Sequence, residues 1–240
     1  MNFRNDLAQT ELTVAQLVIS RPQALSVFNK YNIDYCCGGK RSLNEACSRI
    51  GLDPRAVLAE VEHGFVEGQT GAIRPDSWSS SLLVDYIIAN HHDFVRTAIP
   101  ELEGLLDKVC ERHGHDNPNL LRIRQSFLEL ANDLLVHMNK EELALFPAIK
   151  RLALMLDNTP LRKIIQTPIA AMEDDHSLAG ELIQGISALS DNYTPPSGAC
   201  MTFQLTYQKL REFQNDLMMH VHLENNILFP RFANTEEIPG

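Results

Sequence analysis

Two copies of one pattern carry the chemistry of this chain. They are His137-x-x-x-Glu141-x-x-x-Leu145-Phe146-Pro147 and His220-x-x-x-Glu224-x-x-x-Leu228-Phe229-Pro230. A histidine and a glutamate four residues apart sit one turn apart on the same face of an α-helix, so each copy can aim an imidazole and a carboxylate at one point. A further histidine stands ahead of each copy at a matching distance: His92 lies 45 residues before His137, and His176 lies 44 before His220. Two such halves facing each other offer nitrogen and oxygen donors suited to a pair of iron ions. Glu141 and Glu224 would bridge from opposite helices to offset the repulsion between the cations, and His92, His137, His176 and His220 would supply about two imidazoles per metal. Imidazole with carboxylate suits iron, manganese or zinc rather than a soft thiolate site. Six protein ligands leave positions for water, oxo or hydroxo bridges, dioxygen or nitric oxide.

The elements that must hold these residues read as helices. Four long amphipathic segments follow residue 80, at about 81–112, 119–156, 160–189 and 200–232, with apolar side chains near helical spacing. Pro100 and Pro168 are expected to kink or interrupt the first and third, since proline removes a backbone donor. The loops between them are short, at His113–Pro118, Asp157–Pro160 and Asp191–Gly198, which predicts an all-α, up-down four-helix bundle. Spacing tests whether the ligands meet. Residues on adjacent antiparallel helices are level when equally far from the loop joining them. His92 lies about 23 residues before the middle of the first loop, and His137 and Glu141 lie about 22 and 26 after it. Glu141 and His176 flank the second loop at about 17 and 18, and His176 and His220 flank the third at about 20 and 24. All six fall within about one turn of a common level.

The other histidines act as controls. His91 and His222 are rotated off the ligand face, with His91 the competitor to His92, while His63, His113 and His115 lie elsewhere. Asp93, Asp133, Asp175 and Asp216 flank the ligands and are expected to include acceptors for the second ring N–H of a ligand histidine. Phe146-Pro147 and Phe229-Pro230 are expected to seal one end of the bundle core.

Ahead of the bundle, residues 1–70 form a smaller helical unit. Thr13 is expected to cap one short helix, Pro22 to open another over Gln23–Lys30, Ser42 and Glu45 to form a capping box, and Asp53-Pro54 to start a helix towards Phe65. Gly68–Pro75 reads as the linker to the bundle at 76–240. The small unit carries Asp34-Tyr35-Cys36-Cys37-Gly38-Gly39. Adjacent cysteines bridge poorly. Lys40 and Arg41 are expected to lower a thiol pKa here, which suits a redox, nitrosyl-accepting or iron-relay role; the alternative is a pair of reduced thiols packing a tight turn. Cys47, Cys110 and Cys200 fall in helical patterns and are expected to be inert.

The bulk composition narrows the class. A net charge of −10 argues against non-specific nucleic-acid binding. No apolar run is long enough to span a bilayer, the first residues do not form a signal peptide, and five cysteines, two of them adjacent, suit a reducing compartment, so a cytoplasmic protein is expected.

On these motifs the chain resembles the RIC (repair of iron centres) proteins, bacterial di-iron proteins of the hemerythrin-like class induced by nitrosative and oxidative stress. The resemblance spans nearly the whole chain and rests on Asp34–Gly39, His92-Asp93, His137-x-x-x-Glu141-Glu142, the His176 helix and His220-x-x-x-Glu224-Asn-Asn-x-Leu-Phe-Pro. It implies the iron ligands His92, His137, Glu141, His176, His220 and Glu224, the six that spacing selects, and places the family's cysteine pair at Cys36 and Cys37. It further implies a homodimeric, cytoplasmic protein with two non-haem iron ions, oxo- or hydroxo-bridged. Such a protein would support repair of damaged iron–sulfur proteins through labile or redox-active iron. Asp175 departs from the glutamate that relatives often carry before the third-helix histidine, which bears on iron entry and exit. Three readings stay distinct: cluster repair, nitric oxide binding as buffer or sensor, and nitric oxide reduction to nitrous oxide with electrons from a separate donor. A hemerythrin-type dioxygen carrier fits less well, with one histidine fewer than such a site needs.

Overall fold

The computed structural model describes residues 9–63, 74–154 and 159–233. These fall into two compact units: residues up to Ser79 together with Val221–Pro230, and Ser80–His220 with the chain from Arg231.

Among the described residues the first unit carries the short helices α1 (Val14–Ser20), α2 (Ala24–Tyr31), α3 (Leu43–Arg49) and α4 (Pro54–His63). Thr13 and Ser42 each close a reciprocal capping box, with Gln16 and Glu45 as third-position partners, so orphan N–H groups at both helix starts are satisfied. The two caps also pair as an isolated antiparallel bridge. This bridge ties α1 to α3 through Val14 N–H to Arg41 O at 2.9 Å and Leu43 N–H to Leu12 O at 2.9 Å. Helix α2 starts at Ala24 rather than at Gln23, so Pro22 stands just outside it. It ends on Asn32 in the left-handed region (φ 52°), and Ile33 N–H returns to Phe28 O at 2.9 Å, a helix stop that asparagine tolerates. Leu17, Phe28, Tyr35, Leu43, Cys47 and Val61 form the core. Most of the expected linker, and Phe65 with it, lies outside the described residues.

Burial and the charge of Asp53 push the Cys47 thiol up to about 11. At pH 8 Cys47 is therefore expected to alkylate about 100-fold or more slowly than exposed Cys200, because the thiolate is the reacting form. Per-cysteine mass spectrometry on native protein checks this.

The second unit is a bundle of long helices. Helix α5 (Ser80–Tyr86) runs through a π-helical turn (Ile87–His92) into α6 (Asp93–His113). Helix α7 (Asn119–Lys140) runs through a second π turn (Glu141–Leu145) into α8 (Phe146–Ala153). Helix α9 (Thr159–Leu189) follows, then α10 (Met201–Leu223); the last residues of α10 and the third π turn, Glu224–Leu228, belong to the first unit. Phe127 and Phe213 meet edge to face at 5.4 Å in the core.

Neither Pro100 nor Pro168 interrupts its helix, contrary to the sequence expectation. Each removes one backbone hydrogen bond, but the buried neighbours Ala98, Ile99 and Leu102, and Ile165, Ile169 and Met172, hold the flanking turns in register,. Pro147 sits in the first turn of α8, just past a π turn, where a missing N–H costs least. The Asp157–Pro160 loop falls largely outside the described residues.

Candidate metal centre

Burial first separates the six predicted ligands from ordinary helix-face residues. His92, His137, Glu141, His176, His220 and Glu224 are all at most 2% exposed. Their donor atoms gather into two groups, each with its ligand atoms within 4.8 Å of one another: His92, Glu141, His220 and Glu224, and His137, Glu141, His176 and Glu224. Both glutamates appear in both groups, as two carboxylates shared between a pair of cations would. Glu224 lies one turn beyond His220 along the same helical run.

Hydrogen bonding orients the rings. His92 Nδ1 lies 2.6 Å from Glu142 Oε1, and His137 Nδ1 lies 3.3 Å from Asp175 Oδ2. Ionised carboxylates only accept, so Nδ1 carries the proton and each neutral ring presents a lone pair at Nε2. Those lone pairs converge on the ring nitrogens of the other two histidines. His92 Nε2 faces His220 Nε2 at 3.1 Å, and His137 Nε2 faces His176 Nε2 at 3.0 Å. Glu141 Oε2 is 3.4 Å from both His92 Nε2 and His137 Nε2, and both Glu141 oxygens are buried without a hydrogen bond. A buried carboxylate with no hydrogen-bond donor is costly unless a cation satisfies it. The donor set thus fits two metal ions, with nitrogen and carboxylate ligands for each.

Glu142 and Asp175 stay ionised. Burial raises each carboxyl pKa, but His92 and Arg96 outweigh it at Glu142, and Lys140 and His137 outweigh it at Asp175, so both lie below their usual values. Arg96 reaches Glu142 at 2.7 Å and Lys140 reaches Asp175 at 3.1 Å. Of the four flanking aspartates expected to brace ligands, only Asp175 does so: Asp93 pairs with Arg96, Asp216 faces His91 at 2.9 Å, and Asp133 lines a cavity of about 240 Å³ beside His137 and His176. Glu142, which holds His92, was missed; its signal was the acidic pair Glu141-Glu142 one turn past His137. His91 belongs to neither group and stacks on the His220 ring at 5.8 Å. His222 is buried with its Nδ1 3.3 Å from the Tyr35 carbonyl, and burial depresses its pKa to about 4.

The π turns were also missed. One ends on His92, and the others begin on Glu141 and Glu224. Such turns widen a helix by one residue and recur at functional sites. Phe146, after the second, packs its ring on His92 at 5.7 Å, so Phe146 supports that imidazole as well as filling core.

The cysteine loop departs from expectation. Cys36 is buried and Cys37 half-buried, with their sulfurs 3.7 Å apart. The neighbouring Cys37 thiol, burial and the Asp34 charge push the Cys36 pKa well above the ordinary thiol value. The positive charge expected to lower it is engaged elsewhere, since Arg41 pairs with Asp34 at 3.8 Å.

Comparisons with known proteins agree with this geometry. Residues 83–232 match the model of the hemerythrin HHE cation binding domain, and residues 10–64 match ScdA_N, a domain of unknown function. An iron-sulfur cluster repair protein YtfE from Yersinia pseudotuberculosis is 34% identical over 98% of this chain and 100% of its own length. Proteins of the same name from Shigella boydii and an Enterobacter species are 37% and 38% identical, each over 94% of this chain and 98% of their own length. No described helix is long and apolar enough to cross a membrane.

Proposed function

We propose that this chain, which belongs to the hemerythrin HHE family and within it to the iron-sulfur cluster repair proteins, holds two iron ions and supports repair of damaged iron–sulfur clusters. The observation that carries the reading is the doubled donor set, two histidine pairs sharing Glu141 and Glu224. Iron bound there supplies reversible ferrous–ferric chemistry and positions open to small ligands. Glu142 and Asp175 fix the ring orientation of His92 and His137, and the buried walls keep bulk water from the donors. The Lys140–Asp175 pair stands at the cavity beside His137 and His176, a route by which iron could leave for a damaged cluster. Cys36 and Cys37 form a thiol element in which half-buried Cys37 is the accessible partner for nitrosyl or iron. A cytoplasmic homodimer with an external electron donor completes the proposal.

The same cavity favours a second reading, capture of nitric oxide at the reduced site, with or without reduction to nitrous oxide. One assay separates them. An iron–sulfur enzyme inactivated by nitric oxide or peroxide is incubated with reduced, iron-loaded protein. Regained activity with loss of iron from this chain supports repair. No regain, with nitric oxide retained or nitrous oxide released, supports the second reading.

A further inference from the structure

The two copies of the His-x-x-x-Glu pattern differ in the residues around and after the glutamate. Aligned on His137 and His220, Asn139 corresponds to His222 and Leu143 to Asn226. In the first copy both positions are surface ones, with Leu143 82% exposed. In the second, both hold the cysteine loop, within the same compact unit. Asn226 Nδ2 donates to the carbonyls of Tyr35 at 3.3 Å and Cys36 at 3.0 Å, while His222 Nδ1 reaches the Tyr35 carbonyl and its ring meets Tyr35 edge to face at 5.6 Å. The loop is braced internally as well. Asp34 Oδ1 accepts from the backbone N–H of Cys36 at 3.2 Å, that of Cys37 at 3.0 Å and the Cys36 thiol at 3.2 Å. Gly39 completes the fit, since a Cβ there would clash with Asn226 Oδ1.

Asn226 sits two residues past Glu224 in the same π turn. We propose that Asn226, with His222, is a positioning residue that couples the Cys36–Cys37 loop to metal occupancy at Glu224. The inference rests on the reading of Glu224 as a metal ligand. Binding a cation through the Glu224 carboxylate fixes the backbone of the π turn, and Asn226 passes that constraint to the peptides on either side of Cys36. Loss of the cation frees the turn and with it the braced loop, so the thiols become more accessible. The coupling is reciprocal, because whatever metal does to the loop, modification of the loop does to the metal.

Full-length protein, metal-loaded or stripped by a chelator, is treated with iodoacetamide, and alkylation of each cysteine is timed by mass spectrometry, with exposed Cys200 as internal reference. Stripping is expected to raise the combined Cys36 and Cys37 rate relative to Cys200 about tenfold, within the usual span of coupling between sites. In Asn226→Leu, which installs the first copy's residue, loaded and stripped forms should alkylate alike; Asn226→Asp, isosteric but without the donor, gives the same result if the leucine variant fails to fold. Bound metal with equal wild-type rates, or a ratio that persists in a folded variant, would overturn the coupling alone. Wild-type protein that binds no metal would overturn the di-metal reading and the coupling with it.

Discussion

Glu141→Gln is expected to reduce bound metal from about two ions per chain to one or none while leaving the metal-free protein at least as stable as the parent. Glu141 is fully buried, neither oxygen is hydrogen-bonded, and imidazole nitrogens lie 3.4 Å away on two sides. Without metal this carboxyl is a buried polar group with no hydrogen-bond partner, a cost of about 1–3 kcal/mol that an amide able to donate to a neighbouring imidazole is expected to relieve. With metal it becomes a shared anionic ligand, and the amide replaces a charge by a weak dipole. The two effects have opposite signs, which is the discriminating feature. Metal analysis together with denaturant melts of both forms measures them. A variant that keeps two ions, or whose metal-free form loses several kcal/mol, would show that Glu141 serves the fold and not the cations.

Metal removal should itself destabilise the bundle strongly. A ligand at about 1,000 times its dissociation constant adds about 4 kcal/mol to folding. In a unit of this size that corresponds to roughly 8–16 °C in Tm. The effect is expected to be localised. The donors come from helices α7, α9 and α10 and from the π turns, so chelation should speed hydrogen exchange around His92, Glu141 and Glu224 first. Protons compete with metal for the same imidazoles and carboxylates, so the gap between loaded and stripped melting temperatures should narrow as the solution is acidified. A chelator that empties the protein yet leaves Tm unchanged would contradict a centre that ties the helices together.

Much of this was legible in the sequence, for identifiable reasons. The duplicated His-x-x-x-Glu pattern and the equal distances of His92 and His176 from their loops depend only on helical rise, so the six residues could be set level before any coordinates. Thr13 and the Ser42–Glu45 pair were legible because capping is local chemistry. The features that stayed hidden depend on partners distant in sequence. The π turns at His92, Glu141 and Glu224 leave the apolar spacing almost unchanged. Glu142 braces His92 from 50 residues away, and Asn226 holds Cys36 from 190. Arg41 sits close enough to the thiols to suggest activation, but Asp34 takes its charge, a competition that spacing does not reveal. Pro168 looked like a break because the rule for an isolated helix omits the packing of Ile165, Ile169 and Met172.

Metal content decides whether this chain holds a di-iron centre. The protein is purified without added metal, iron and zinc per chain are measured, and the visible spectrum is recorded before and after reduction. About two irons per chain and a ligand-to-metal absorption that bleaches on reduction are expected. Zinc alone, or an intact helical fold with no metal, would contradict a di-iron centre.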